Sequence, residues 1–195
     1  NVACLSGTGG FGTHTIAPAA LCMPLPPGFS HVDAAAFIMT YATSHHALVD
    51  RAQLKAGETV LVLGAAGGVG TAAIQIAKAL GATVIAAAST DEKCALCTSI
   101  GADSTINYQT EDFAARVKDI TGGQGVKVVY DSVGKDTWDK SLECLRPFGL
   151  MASFGNASGP VAPFAPAALG AKGSIYVTRQ TLFSHITTRE STQAM

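Results

Sequence analysis

From residue 58 onward the apolar positions follow two alternating rules. Val60-Leu61-Val62-Leu63 is an unbroken apolar run closed by Gly64, the mark of a strand buried on both faces. After Ala65-Ala66-Gly67-Gly68-Val69-Gly70, the apolar residues of Thr71–Leu80 recur at helical spacing, and Gly81 supplies the stop. The pattern then repeats: strand Thr83–Ala88, helix Asp91–Ile100 ended by Gly101, strand Ser104–Tyr108, and helix Glu111–Ile120 ended at Gly122-Gly123. Strand Val126–Val133, helix Asp136–Leu145 stopped by Arg146-Pro147, and strands Leu150–Phe154 and Ser174–Thr178 complete it. Strands alternating with helices of this length predict parallel crossovers, hence an α/β fold: a doubly wound parallel six-stranded Rossmann sheet with helices on both faces.

The first fifty residues obey neither rule. The chain opens in strand-like sequence, Gly7–Gly12 is a glycine-rich loop, and Thr13–Pro18 alternates like a strand. Leu25-Pro26-Pro27-Gly28 is a turn, and Asp33–Asp50 reads as a helix or helix pair. The organisation expected is residues 1–32 as the tail of a preceding β-rich domain, 33–180 as a Rossmann domain, and 181–195 as the start of a return to the preceding domain. A start at Asn1 and an end at Met195, just after the helix-like Thr188-Arg189-Glu190, read as cuts through a longer protein.

The strand–glycine loop–helix unit carries the chemistry. Glycine is needed where a backbone approaches a pyrophosphate and where a helix packs on a strand, and the helix N-terminus then offers unpaired N–H groups to the anion. Gly67 and Gly70 match the second and third glycines of that pattern, with Ala65 in place of the first. A NAD site carries an acid at the end of the second strand to hold the ribose 2′-hydroxyl. Here that strand ends Ala87-Ala88-Ser89, with Lys93 a turn further on. Ser89 can donate to a 2′-phosphate and Lys93 can neutralise it, which favours NADPH. Asp91 is the competing reading, but in Ser-Thr-Asp-Glu it suits the first turn of a helix.

Composition narrows the partners. With 48% hydrophobic and 14% charged residues the chain is not disordered, and 13 basic against 14 acidic side chains, unclustered, exclude nucleic acid or an acidic membrane as the main partner. No apolar run reaches the ~18 residues of a membrane span. Five cysteines, an odd number scattered through apolar segments, predict free thiols in a reducing, cytoplasmic setting. Cys94-Ala-Leu-Cys97 has metal-pair spacing but no second pair, so buried helical thiols and no metal are expected. No catalytic residue stands out. His45-His46 reads as a half-exposed helical pair; His14, His31 and His185 show no carboxylate pattern; Ser6, Ser132 and Ser153 lack a G-x-S-x-G setting. The Tyr-x-x-x-Lys pair of short-chain dehydrogenases is absent.

The run Gly64–Gly70, with Ser89-Thr-Asp-Glu-Lys93, Ile106-Asn-Tyr108 and Asp131-Ser-Val-Gly134, resembles the zinc-independent quinone oxidoreductases, zeta-crystallin relatives in the medium-chain dehydrogenase/reductase superfamily. Ser153-Phe-Gly-Asn156 and Tyr176-Val-Thr-Arg179 extend the likeness to the bacterial NADPH-dependent members. The resemblance implies hydride transfer from NADPH to a quinone, a preceding GroES-like domain lying mostly outside this chain, and a homodimer joined through strand 174–178. It implies that Thr43 faces the nicotinamide or pyrophosphate and that Ala66, Gly67, Gly68 and Val69 cradle the pyrophosphate. Ser89, Lys93 and Tyr108 would surround the 2′-phosphate. Ser132, Phe154, Gly155 and Asn156 would line the carboxyl edge of the sheet, and Val177 and Thr178 the nicotinamide carboxamide. An enoyl or alkenal reductase acting on an activated alkene, or a non-catalytic dinucleotide-binding module, would carry the same loop.

Overall fold

The computed structural model describes residues 1–5, 7–186 and 188–193; Ser6, considered above, lies outside them. A small antiparallel ribbon pairs β1 (Val2–Cys4) with β2 (Cys22–Pro24), setting Cys4 opposite Cys22. The strand expected over Thr13–Pro18 is instead unpaired coil. Its alternation has no surface to cover, Ile16 being 97% exposed, and the pairing edge of β1 is taken by residues 22–24. Helix α1 (His31–His45) starts at Ser30, whose hydroxyl accepts from the Asp33 N–H, and continues as a π-helical turn over His46–Arg51. The helix expected over Asp33–Asp50 is thus a pair in tandem.

The remaining strands, β3 (Thr59–Leu63), β4 (Thr83–Ala88), β5 (Ser104–Asn107), β6 (Val126–Asp131), β7 (Leu145–Ser153) and β8 (Tyr176–Thr178), form a six-stranded sheet in the order β5-β4-β3-β6-β7-β8. Every pairing is parallel, so the doubly wound Rossmann arrangement holds. Strand side chains alternate between two cores, as the two-residue period requires. Val60, Val62, Val84, Ala86, Val128 and Tyr130 face the π-helical turn and α2 (Gly68–Ala79). Leu61, Leu63, Ile85, Val129 and Met151 face α4 (Phe113–Ile120) and α5 (Trp138–Glu143). Helix α3 (Asp91–Ser99) buries Cys94 and Cys97, as expected for helical thiols. Burial holds the Cys97 thiol up at about 11, where it stays protonated.

Several boundaries move for local reasons. The helix expected over Glu111–Ile120 starts at Phe113, because the Asp112 carboxylate caps the Ala114 and Ala115 N–H groups. The helix expected over Asp136–Leu145 shrinks to α5, and β7 begins at Leu145. Val126 pairs with Leu145 and Val128 with Leu150, so residues 146–149 bulge out of the ladder with Phe148 at φ 60°. Ser174 also has positive φ (55°), which confines β8 to Tyr176–Thr178. Three short helices, α6 (Ala167–Ala171), α7 (Leu182–His185) and α8 (Arg189–Gln193), complete the chain. Among the described residues no helix is long and apolar enough to cross a membrane.

Candidate functional site

The sheet order reverses between β3 and β6, and ligands in open α/β sheets bind at the carboxyl ends of the strands at such a point. Here β3 runs into the glycine turn. Gly64 adopts φ +66°, the Gly67 N–H closes the turn on the Gly64 carbonyl at 3.0 Å, and α2 begins with Gly67 as its N-cap. No side chain caps this helix and no acid stands in its first turn. Its positive end is therefore open, with Gly67 and Gly68 exposed and Ala66 and Val69 half-buried beside them.

Helix α1 backs the turn. A Cβ on Gly68 would meet the Thr40 methyl at 3.2 Å. The buried Ser44 hydroxyl lies 2.9 Å from both the Thr40 and Val69 carbonyl oxygens and accepts from the Tyr130 hydroxyl at 3.3 Å. Burial pushes the Tyr130 phenol well above its ordinary value, and its ring stacks on Phe154 at 4.1 Å between centroids. Ser44 and Tyr130 thus tie the turn to α1 and to the ends of β6 and β7. Sequence reasoning missed this pair, because it joins residues from distant elements and carries no local spacing. Thr43 is half-buried on the same helix, its hydroxyl 3.7 Å from the Met39 sulfur.

At one end of the cleft, beyond β4, the Lys93 ammonium donates to the Ser89 hydroxyl at 3.0 Å. Thr90 caps α3 between them, accepting from the Lys93 N–H. Asp91 is occupied elsewhere, its carboxylate accepting from Asn107 Nδ2 at 2.7 Å. Tyr108 lies at the adjoining end of β5, half-buried, its N–H bonded to the Ala88 carbonyl at 3.0 Å. The sheet therefore brings Ser89, Lys93 and Tyr108 to one corner.

The opposite wall follows β6, β7 and β8. Ser132 donates to the Leu63 carbonyl at 3.3 Å, spanning the switch point. Behind it the buried Asp131 carboxylate accepts from the Val133 N–H at 2.6 Å, the Gly134 N–H at 3.3 Å and the Thr137 hydroxyl at 2.8 Å. Phe154 bonds back to the Asp131 carbonyl at 3.0 Å, and Gly155 presses on the Ser132 backbone with no room for a Cβ. Asn156 and Val177 line an open cavity of 560 Å³ together with Trp138 and Phe164. Thr178 lines a separate one of 320 Å³ together with His46, Arg51 and His185.

Two histidine expectations need correction. His46 is buried rather than half-exposed, since the π-helical turn directs it inward, and its Nδ1 lies 2.8 Å from Asp50. His185 does have a carboxylate partner, the same Asp50 at 3.4 Å, which reaches it through the fold and not through neighbouring sequence.

Similarity to known proteins agrees with this fold. The quinone oxidoreductase of Pseudomonas aeruginosa is 49% identical over 171 residues, covering 88% of this chain and 53% of that protein. A 2-haloacrylate reductase from Burkholderia is 41% identical over 189 residues, covering 95% and 57%. The crystal structure of Escherichia coli quinone oxidoreductase complexed with NADPH superposes with a TM-score of 0.86 at 46% identity, covering 90% of this chain and 54% of that one. The chain spans about half the length of these relatives. A zinc ion at the carboxyl edge of the sheet would need thiolate, imidazole or carboxylate ligands. The side chains brought there are hydroxyls, an amide and a lysine, and among the described residues the one group of three metal-capable side chains is His46, Asp50 and His185. The sequence profile of the zinc-binding dehydrogenases matches residues 68–194, from the first turn of α2 through α8, and the chain belongs to that family.

Proposed function

We propose that this chain holds NADPH for an oxidoreductase that passes hydride to a quinone. The observation that carries the reading is an uncapped, glycine-lined helix N-terminus at the switch point, with a lysine–serine pair beyond the next strand. NADPH, when bound, supplies the hydride. Ala66, Gly67, Gly68 and Val69 hold the pyrophosphate through backbone N–H groups and the dipole of α2. Ser89 and Lys93 take the 2′-phosphate in place of the ribose-binding acid, and the Tyr108 ring covers the adenosine. Thr43, Ser132, Phe154, Gly155 and Asn156 line the route toward the nicotinamide, and the Val177 side chain with the backbone at Thr178 fixes its carboxamide. We place no zinc in the hydride step, because the side chains beside the glycine turn and along the ends of β6 and β7 are hydroxyls and an amide, whereas the imidazoles of His46 and His185 line a separate cavity. The 2-haloacrylate reductase relative supports an activated alkene as the second substrate reading. Residues 1–32, with the β1–β2 ribbon, form the end of a preceding GroES-like domain, residues 33–180 the NADP-binding domain, and residues 181–195 begin the return. Five free thiols suit a reducing cytoplasm.

Calorimetry with NADPH and NADH, on this chain and on Lys93→Ala, tests the reading. Loss of one charge-assisted phosphate contact, ~1.5–3 kcal/mol, should weaken NADPH roughly 10- to 100-fold while leaving NADH unchanged. Equal affinity for both nucleotides in the wild type, or an unchanged ratio in the variant, would overturn the phosphate pocket.

The open edge of β8 serves as a dimer seam. It pairs with β7 on one side only, and the exposed Tyr176 (58%) and Phe148 (62%) give it apolar surface to cover. Light scattering should return the mass of two chains, and Val177→Pro, which removes an N–H from the strand, should return one.

A further inference from the structure

We propose that His46, Asp50 and His185 form a binding site for one divalent transition-metal ion of the zinc type. His46 and Asp50 stand four residues apart on the π-helical turn, which stacks their side chains on one face. His185, the last residue of α7, arrives from the far end of the chain and lays its ring against that of His46 at 4.1 Å. Three ligand atoms, one from each residue, all lie within 4.8 Å of one another. His46 Nδ1 and His185 Nε2 sit 2.8 and 3.4 Å from the same Asp50 oxygen. Bonds of ~2.0–2.1 Å around a tetrahedral zinc put neighbouring ligand atoms about 3.3 Å apart; the Asp50 oxygen already stands near that distance from both histidines, and the two imidazole nitrogens, within 4.8 Å of each other, need to close by no more than about 1.5 Å.

The chemistry points the same way. Both imidazole nitrogens approach the same Asp50 oxygen, and one cation accepts a lone pair from all three groups. Imidazole with carboxylate suits zinc, nickel, copper or cobalt rather than magnesium or calcium. His46 is shielded from water, with 7% of its side chain exposed, while Asp50 and His185 are open at 27% and 32%. His46 and His185 line the 320 Å³ cavity, which leaves room for a fourth ligand from solvent, so the set has the form of an exchangeable site with three protein ligands. Arg51 and Arg179 line that cavity too. Their charge weakens cation binding and favours an anion as the fourth ligand.

The site needs no nucleotide, so its test stands apart from the cofactor reading. The chelator-treated chain is titrated with Zn²⁺ by calorimetry and with Co²⁺ by visible absorption. One equivalent should bind, with tetrahedral Co²⁺ bands and a higher melting temperature in Zn²⁺. His185→Ala, at a half-exposed position where folding is little affected, should weaken Zn²⁺ at least ~10-fold, and Asp50→Asn should do the same while keeping the side-chain shape. A Cys4→Ser/Cys22→Ser double variant should bind as the wild type does. Absence of saturable binding, full binding by His185→Ala, or binding that vanishes with the two cysteines would overturn the proposal.

Discussion

Gly70→Ala is expected to lower the melting temperature by roughly 4–8 °C and to abolish nucleotide binding, the conversion being ~2–4 °C per kcal/mol for a chain of this size. A Cβ at Gly70 would lie 2.5 Å from the Gly64 carbonyl oxygen, 2.6 Å from that of Ala65 and 2.7 Å from the Ala65 carbonyl carbon. All three are backbone atoms and cannot swing aside, so α2 must slide off β3 or the turn must open. Overpacking of this kind costs about 3 kcal/mol. Alanine's better helix propensity, worth ~1 kcal/mol, offsets only part of it. Gly67→Ala is the contrasting variant. Gly67 has ordinary extended angles (φ −79°, ψ 165°), and its added Cβ would stand 3.3 Å from the Gly64 carbonyl oxygen on the exposed side of the turn. It should fold with nearly unchanged stability yet weaken NADPH, because the methyl occupies the approach to the N–H groups of α2. Thermal melts and calorimetry on the pair separate the two roles of glycine. A Gly70→Ala protein with wild-type melting would refute the close-packing account.

The β3–α2–β4 unit was legible because everything it needs is local: an apolar run, glycines at the turn, a helical period and a glycine stop. Ser89 and Lys93 were legible for the same reason, being one helical turn apart across a cap. The course of β7 was hidden, since Pro147-Phe148-Gly149 reads as a break. The ladder in fact resumes past a bulge in which Phe148 takes a left-handed angle, a state that packing imposes and sequence does not advertise. Thr13–Pro18 misled in the opposite sense: alternation predicts a strand only where some surface waits to be covered. The Ser44–Tyr130 tie and the Asp50–His185 contact depend on the sheet order, which brings distant parts of the chain side by side, so no window along the sequence contains them.

Asp131→Ala should cost about 3 kcal/mol, because it strands the buried N–H groups of Val133 and Gly134 and the Thr137 hydroxyl at ~1–3 kcal/mol for each unpaired group, partly relieved by relaxation. These bonds hold the turn on which Ser132 and Gly155 meet, so nucleotide affinity should fall with stability. Asp131→Asn keeps an acceptor for the two N–H groups and lets the Thr137 hydroxyl rotate to accept, so its cost is smaller. It also exposes the price of charge. Desolvation outweighs the hydrogen bonds and raises the Asp131 carboxyl above the ordinary carboxylate range. The folded protein therefore holds this proton more tightly than the unfolded chain does. The stabilisation from the neutral acid is complete below the unfolded value, ~3.9, and is lost as pH rises through the raised folded value. Asparagine does not titrate. The melting-temperature advantage of wild type over Asp131→Asn should be largest near pH 4 and shrink toward pH 7, other titrating groups cancelling between the two proteins. An advantage that grows with pH would mean that the three donors outweigh burial, and that the ionised carboxylate is the form this turn was built to hold.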